Sequence, residues 1–497
     1  MALPDLTRHT ARQRGQEPPA ALPERVLQFG TGAFLRGFAG YFVDRANEAG
    51  RLNGRIVMVG STGSGRVQRL AAQDGLYTLL VRGREHGEVV DRAHLITAVG
   101  RVLSARDRWA EVLEVARHPD LALVVSNTTE VGITLDEDDR IDRNPPRSFP
   151  GKLTAVLYER ARAFDFDPAR GLLILPCELV DDNGDRLREI VQALAARWKL
   201  PPAFLAWLDA SCRFCNTLVD RIVPGTPPEE EAAAFYERLG YRDELLTVAE
   251  PYRLWAIEGD DEVRERLPLA GTDAGIVVAG DITPYRLLKV RILNGAHTIS
   301  VPAALLCGLE TVCEAVEHPL VGRFIRRLVR DEIAPGLDLP EDLVTPFAEA
   351  VLERFANPFI RHALRDITFQ QTMKMRVRVV PSIEAYAARF GEAPPSLAFG
   401  FACFLLFQHP HVRPDGPWPE DEAAPYWQAR WQGAAPDDAE ALVQRAADVL
   451  ADVNRWGLSL RDVPGFERHV AVHVRRALRE GVPAALAAHL DEVGSRF

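Results

Sequence analysis

Short apolar runs alternate with amphipathic stretches through the first half of the chain. The runs predict buried strands, and they fall at residues 26–29, 56–59, 77–81, 121–125 and 172–175. Stretches with helical spacing, such as 109–116 and 152–163, lie between several of these runs. Because strands that alternate with helices form parallel sheets, this part of the chain is predicted to have an α/β fold.

The pattern changes near residue 280. Beyond it, apolar positions recur mainly at helical spacing, as in 287–306, 321–333, 343–355 and 437–456. A chain of 497 residues is also too long for one compact core. We therefore predict an α/β domain over residues 20–280 and a mostly α-helical domain over residues 281–497.

The first predicted strand ends at a glycine-rich turn, residues 30–32, which a helical stretch follows. Glycines there permit a tight turn and a close approach to a pyrophosphate, and the helix start adds free N–H groups. The third glycine of the usual pattern would be residue 35, which is Leu35, so the match is partial. The residues expected at this dinucleotide site are Phe29, Gly30, Thr31, Gly32, Ala33, Phe34 and Arg36.

Two further strand ends contribute to the predicted dinucleotide site. An acid usually follows the second strand and accepts from the ribose 2′-hydroxyl, but here the chain has Ser61 and Thr62, then Arg66. Small hydroxyls and an arginine suit a 2′-phosphate as well, so NAD and NADP both remain open. Ligands of parallel sheets collect at strand ends, and the strand over 121–125 ends at Ser126, Asn127 and Thr128.

The chemistry is predicted in one segment that contains Lys289, Asn294 and His297. On an α-helix, His297 lies about 80° and Asn294 about 140° from Lys289, so the three side chains are expected on one side. Ketone reduction needs a proton donor for the forming alkoxide and a dipole for its charge. Lys289 suits the first role and Asn294 the second, and His297 can orient the lysine or hold a substrate hydroxyl. By spacing alone, three surface residues are the alternative.

Composition limits the classes of partner. The charged fraction of 26% and hydrophobic fraction of 47% are typical of a globular protein, and the net charge of −11 disfavours nucleic acid. No apolar run reaches membrane-spanning length, and the first 19 residues are polar, so we expect a cytoplasmic protein. The six cysteines form no disulfide framework, and Cys212 and Cys215 lack the second pair of ligands for a structural zinc.

Several motifs together resemble one enzyme family. The spacing Lys289-x4-Asn294-x2-His297 resembles the signature of the polyol-specific long-chain dehydrogenases, and residues 30–36 resemble that family's Gly-x-Gly-x-Phe-x-Arg turn. The family includes mannitol dehydrogenase and reductases of keto-sugar acids. Further similarity to its tagaturonate-reducing members lies at residues 73–78, 126–130, 176–179, 216–222 and 293–298.

The resemblance implies a Rossmann-like dinucleotide-binding N-terminal domain and a mostly α-helical C-terminal domain, with the site in the cleft between them. It implies NAD as cofactor, no catalytic metal, and Lys289 as general acid/base beside Asn294 and His297. The expected reaction reduces tagaturonate to altronate. Fructuronate reductase and mannitol dehydrogenase are the alternative activities, and a nucleotide-binding regulator is the alternative outside enzymes. Oligomeric state remains open.

Two departures from the family pattern bear on the substrate. Leu179 stands where mannitol dehydrogenases carry an asparagine that helps to stabilise the oxyanion, and Arg286 stands where the family has an acid. The change at Leu179 argues against a plain polyol, and a cation at 286 suits a substrate carboxylate. Further candidates for substrate binding are Lys374, which the resemblance favours, Arg365, Arg376 and Asp220, the last with pairing to Arg221 as a structural alternative.

Overall fold

The computed structural model describes residues 3–16, 22–61, 65–128, 132–413, 418–435 and 437–494. The chain divides into two compact units. The first comprises Met1–Arg82 and Val90–Ile282, and the second comprises Gly83–Val89 and Thr283–Phe497.

The first unit is built on a six-stranded parallel sheet. The strands of the chain are β1 (Glu24–Phe29), β2 (Arg55–Gly60), β3 (Tyr77–Glu85), β4 (Glu88–Ile96), β5 (Val99–Ser104), β6 (Leu123–Ser126), β7 (Leu173–Pro176), β8 (Arg213–Phe214), β9 (Thr217–Asp220), β10 (Thr247–Ala249), β11 (Leu254–Glu258) and β12 (Ile276–Ala279). The central sheet has the order β5-β2-β1-β6-β7-β8, and all its neighbours pair in parallel. Strand order reverses between β1 and β6, the place where open parallel sheets bind ligands.

Side chains along the central strands alternate between two hydrophobic cores. In β1, Val26 packs into one core, whereas Leu27 and Phe29 pack into the other. In β2, Ile56 and Val57 divide in the same way. A parallel sheet covered on both faces needs apolar residues at every position, which explains the continuous apolar runs of the sequence. The prediction of an α/β fold with a parallel sheet is confirmed.

Two three-stranded sheets complete the strands, in the orders β10-β3-β4 and β12-β11-β9. The tip of the β3–β4 hairpin belongs to the second unit. There the backbone N–H groups of His86 and Gly87 donate to the carboxylate of Glu353.

Ten α-helices belong to the described part of the first unit, together with the 3-10 turn Pro168–Arg170. They are α1 (Arg8–Gln13), α2 (Ala33–Gly37), α3 (Ala39–Glu48), α4 (Gly65–Ala72), α5 (Trp109–Ala116), α6 (Phe149–Ala163), α7 (Asn183–Arg197), α8 (Pro202–Ser211), α9 (Glu229–Leu239) and α10 (Asp261–Arg266). Helix α6 begins where the Ser148 hydroxyl accepts from the N–H of Gly151, which satisfies one of the free donors of a helix start.

The second unit is helical, as predicted. Its α-helices are α11 (Thr283–Leu288), α12 (Ala296–Leu306), α13 (Val312–Glu317), α14 (Pro319–Arg327), α15 (Ala334–Gly336), α16 (Glu341–Phe355), α17 (Leu364–Ile367), α18 (Gln371–Lys374), α19 (Val380–Phe390), α20 (Pro395–Phe407), α21 (Ala424–Trp431), α22 (Ala439–Leu450), α23 (Val453–Trp456), α24 (Phe466–Glu480) and α25 (Val482–Gly494). A 3-10 turn covers Leu460–Asp462. Three π-helical segments interrupt this series, at Lys289–Gly295, Leu328–Ile333 and Met375–Val379.

Helix α20 forms the centre of this unit. Nearly all its residues are buried, and it packs against α12, α24 and α25. Among the described helices, none combines the length and the apolar character that a membrane crossing requires.

Candidate functional site

The turn after β1 leaves room for a ligand beside the backbone. Gly30 has φ +121°, and a Cβ atom there would lie 2.9 Å from the carbonyl oxygen of Asn127, so only glycine fits. A Cβ atom on Gly32 would meet nothing within 4 Å. Space next to Gly32, at the start of α2, is therefore open to a group that approaches the backbone closely.

A cavity of about 770 Å³ opens from this turn and lies within the first unit. Seven of the residues predicted for the dinucleotide site line it, namely Phe29, Gly30, Thr31, Gly32, Ser61, Asn127 and Thr128. Other lining residues were not predicted from the sequence, among them Arg69, Arg147, Ser148, Phe149 and Lys152. Residues 147–152 follow a long connection after β6, and no local sequence pattern indicates that they lie at this cavity.

Arg36 does not line the described cavity. Its guanidinium is buried and donates to the Thr31 carbonyl at 2.8 Å and to the Thr247 hydroxyl at 3.0 Å. Burial lowers its pKa to about 10, which leaves it charged near neutrality. Arg36 thus supports the glycine turn through the Thr31 carbonyl, whereas from the sequence it was expected at the dinucleotide site itself. Ala33 and Phe34, the first residues of α2, also lie outside the lining.

A buried carboxylate organises the loop after β6. Glu178 accepts from the Thr128 backbone N–H at 3.0 Å, from the Thr128 hydroxyl at 3.1 Å and from the Ser126 hydroxyl at 3.1 Å. The Asn127 side-chain amide donates to the Cys177 carbonyl at 2.6 Å. Burial raises the pKa of Glu178, although these hydrogen bonds oppose the shift. Ser126, Asn127 and Thr128 all take part in holding this loop, and Asn127 and Thr128 also line the cavity.

The end of the cavity next to β2 is basic. Gly60, Ser61, Gly65, Arg66 and Arg69 line it. No acid follows β2 in the sequence at the position that usually accepts from the ribose. The predicted Thr62 lies outside the described residues.

A lysine lines the same cavity on α6. The Lys152 ammonium donates to the Arg147 carbonyl at 2.6 Å, and a second carbonyl, of Ser148, lies at 3.4 Å. Burial lowers the pKa of Lys152, and its partners are neutral carbonyls. The start of α6 already has an anionic partner, because the Asp139 carboxylate accepts from the N–H groups of Arg147 and Ser148.

In the second unit, Lys289 and Asn294 lie on a π-helical segment, and His297 lies at the start of α12. The angles calculated for an ideal α-helix therefore do not apply between residues 289 and 295. A π-helix bonds each N–H to the fifth residue before it and turns less per residue, and such segments are frequent at functional sites. Lys289, Asn294 and His297 are all half-buried, and Leu288, Ile292 and Ile299 are buried, as expected for the packed side.

His297 is held between aromatic rings. Its imidazole stacks on Phe355 with centroids 3.9 Å apart, and the ring of His362 stands edge-on at 5.2 Å. Burial lowers the pKa of His297 well below its usual value, and His362, Arg354 and Arg378 add to the shift. The ring is therefore neutral near pH 7, and its Nε2 atom is buried with no hydrogen-bond partner in the described chain.

The predicted substrate-binding cations differ in placement. Lys374 is half-buried and donates to the Ile367 carbonyl at 3.1 Å, and Arg286 is half-buried and already interacts with a neighbour. Arg365 is exposed and lies over the Trp418 ring at 5.8 Å, and Arg376 is exposed too. Asp220 is buried at the end of β9 in the first unit and also has a partner.

One arginine near His297 was missed by the sequence analysis. Arg378 lies on the third π-helical segment, is half-buried, and its Nη1 atom lies 3.5 Å from the hydroxyl of Thr298. Arg378 lies eighty residues after Thr298 in the sequence, so no local pattern indicates that the two are close.

A cluster of possible metal ligands in the first unit is explained by hydrogen bonds. Asp44 accepts from the Thr97 N–H at 3.0 Å, from the Thr97 hydroxyl at 2.9 Å, and lies 3.0 Å from Nε2 of His94, with Glu48 nearby. These contacts tie α3 to the chain before β5.

The thiols of Cys212 and Cys215 are buried, which raises the pKa of each to about 12 and keeps them protonated.

Comparisons with known proteins agree along most of the chain. Residues 24–271 match the mannitol dehydrogenase Rossmann domain, and residues 281–478 match the mannitol dehydrogenase C-terminal domain. The altronate oxidoreductase of Bacillus subtilis is 41% identical over 476 residues, 95% of this chain and 96% of its own length. That of Halalkalibacterium halodurans is 40% identical over 504 residues, 98% of this chain and 97% of its own.

Solved structures share the fold. A D-sorbitol dehydrogenase in substrate-free form has a TM-score of 0.74 and 25% identity, and the match covers 94% of this chain and 96% of that one. The Pseudomonas fluorescens mannitol 2-dehydrogenase, solved as a ternary complex with NAD and D-mannitol, has a TM-score of 0.65 and 22% identity, covering 98% and 99%. Two matching domain families in order, with relatives at about 40% identity from end to end, place this chain in the mannitol dehydrogenase family, as an oxidoreductase.

Proposed function

We propose that this protein reduces tagaturonate to altronate with NADH, by the balance keto-uronate plus NADH plus a proton to aldonate plus NAD. One observation carries the proposal. Relatives that share about 40% of their residues with nearly the whole chain are named altronate oxidoreductase. The reverse reaction, oxidation of altronate, follows from the same balance.

The cavity of the first unit fits a nicotinamide dinucleotide. The open space beside Gly32 and the start of α2 suit a pyrophosphate, with Thr31 and Gly30 in the same turn. Asn127 and Thr128, braced by Glu178, are the residues we assign to the nicotinamide half, and Ser61 with Phe29 belongs to the same lining. When bound, the cofactor supplies the hydride that the carbonyl carbon accepts.

The second unit supplies the groups that handle the carbonyl oxygen. We assign Lys289 as the acid that protonates this oxygen as it gains negative charge, and as the base in the reverse direction. The Asn294 side-chain amide donates a hydrogen bond to the same oxygen. His297 is neutral, so its bare Nε2 can accept a hydrogen bond from a substrate hydroxyl or from the Lys289 ammonium.

Substrate recognition needs a cation because the net charge of the chain is negative. Among the residues predicted from sequence, we keep Lys374 and Arg286, which are half-buried, as candidates for this role. We no longer propose Arg365 as a substrate-binding residue, since an exposed guanidinium is screened by water and gains little from an ion pair.

The choice between NAD and NADP is testable at the basic end of the cavity. We propose NAD, in line with the resemblance. Arg66 and Arg69 line that end, and the described residues from Gly60 to Arg69 that line the cavity include no acid, so NADPH is the specific alternative. If NADPH is preferred, replacing both arginines with methionine should shift the preference to NADH.

The function is tested by following cofactor oxidation with purified protein and tagaturonate, fructuronate or fructose, each with NADH and with NADPH. We expect the highest kcat/KM for tagaturonate with NADH, and loss of activity when Lys289 is replaced with alanine. Turnover of fructuronate or fructose at higher kcat/KM would contradict the substrate. No cofactor oxidation with any of the three would contradict the proposal as a whole.

A further inference from the structure

Arg378 is a half-buried cation that the described protein does not satisfy. A guanidinium has five N–H donors. The contact of Arg378 in the structure is the 3.5 Å approach of Nη1 to the Thr298 hydroxyl, which is long for a hydrogen bond. No acid in the described residues forms an ion pair with it, and burial alone lowers its pKa.

The guanidinium lies among groups assigned to catalysis and binding. Thr298, its one neighbour by hydrogen-bond distance, follows His297 directly, and the Arg378 backbone carbonyl would lie 3.2 Å from a Cβ on Gly295. Burial lowers the pKa of His297 and that of Lys374, and the positive charge of Arg378 adds to both shifts. Arg378 lies four residues after Lys374 on the π-helical segment that continues α18, and this segment packs against the segment of Lys289 and Asn294.

Removing a cation from water costs free energy unless an acceptor replaces the water. In some buried arginines of the chain this replacement is internal. Arg160, for example, donates to the carbonyls of Ala116, His118, Leu121 and Arg170. Arg378 has no such set, so its unused donors are available to an anion that enters the site.

We propose that Arg378 binds the substrate carboxylate and so makes the site selective for keto-sugar acids over neutral ketoses. The inference rests on the proposed function and adds a residue that decides which substrates are accepted. A planar guanidinium pairs with a carboxylate through two parallel hydrogen bonds, a geometry that an ammonium lacks. Lys374, already bonded to the Ile367 carbonyl, contributes charge beside it.

The test compares Arg378→Met and Arg378→Lys with the wild type. A matched control is Arg479→Met, which removes an arginine that is 75% exposed on the same unit. Each protein is assayed with tagaturonate and with tagatose, a neutral ketose that lacks the carboxylate. We expect Arg378→Met to lower kcat/KM for tagaturonate about 10–100-fold, mainly through KM, and to change that for tagatose less than about 3-fold. Arg378→Lys should recover part of the loss.

Equal losses for both substrates would overturn the inference, because they indicate a structural role. No loss for tagaturonate would overturn it as well. Titration of altronate into the protein with NADH separates this inference from the proposed function. If the wild type reduces no keto-uronate, the proposed function fails. The role of Arg378 then stands only if the wild type binds altronate and Arg378→Met does not, and it falls if the two proteins behave alike.

Discussion

Two arginines of the first unit, Arg160 and Arg36, differ from Arg378 of the second unit in how their donors are satisfied. In the first unit, Arg160 and Arg36 are almost completely buried, and every donor group of Arg160 meets a backbone carbonyl. Arg36 is held by Thr31 and Thr247. In the second unit, Arg378 is half-buried with one long contact to a hydroxyl.

This difference separates charge that supports the fold from charge that is available to a ligand. A cation whose donors all end on carbonyls has no capacity left, however close it lies to a cavity. A cation that has lost part of its water without gaining acceptors can gain them from a substrate. Position in the sequence does not reveal which kind an arginine is. Arg36 lies next to the glycine turn, yet it stabilises the fold, whereas Arg378 has unused donors and was not predicted from the sequence.

The largest effect is expected from Arg160→Met. Four carbonyls would lose a charged donor at once, so the free energy of unfolding should fall by about 4 kcal/mol or more. Arg378→Met should change it by less than about 1 kcal/mol, because few contacts are lost. Arg162→Met, which removes a neighbouring exposed arginine of α6, is the control. Urea denaturation measures all three, and a larger loss for Arg378→Met than for Arg160→Met would break the comparison.

A smaller effect is expected at the glycine turn. Gly30→Ala should cost about 2–4 kcal/mol, because φ is +121° and the new Cβ would lie 2.9 Å from the Asn127 carbonyl oxygen. Gly32→Ala should leave stability within about 0.5 kcal/mol, since its φ is −63° and nothing stands within 4 Å. Gly32→Ala should instead weaken NADH binding, measured by fluorescence titration. Unchanged binding would mean that the cofactor does not approach this turn.

The smallest effect concerns pH and the buried histidines of the second unit. Burial lowers the pKa of His473 to about 4, so the folded protein keeps it neutral while the unfolded chain binds a proton below about pH 6.5. Its contribution is therefore complete above pH 6.5 and is lost as the pH falls toward 4. From pH 7 to pH 5 the loss is about 2 kcal/mol for this one group.

His473→Leu should remove that part of the pH dependence. The drop in thermal midpoint between pH 7 and pH 5 should be smaller in this variant than in the wild type, and His411→Gln, at an exposed position, should match the wild type. A variant that loses as much on acidification as the wild type would show that His473 is protonated in the folded state.

Structural features that depend on neighbouring residues in the sequence could be predicted. Strands such as β1 and β2, the turn at Gly30 and the helical second unit follow from short-range patterns. The π-helical course of Lys289–Gly295 did not, because side-chain periodicity does not reveal a shifted hydrogen-bond ladder. Lys152 and Arg378 were missed for another reason: distant segments bring them to their sites, and only the fold joins those segments.

The most direct test of the account uses Lys289→Ala, since the account requires this ammonium to protonate the substrate oxygen. We predict that tagaturonate reduction with NADH falls at least about 1,000-fold, while the dissociation constant for NADH stays within about 2-fold of the wild type. Asn294→Ala, which keeps the lysine, should lose less activity. A Lys289→Ala protein that still reduces tagaturonate at a rate near the wild type would contradict the account.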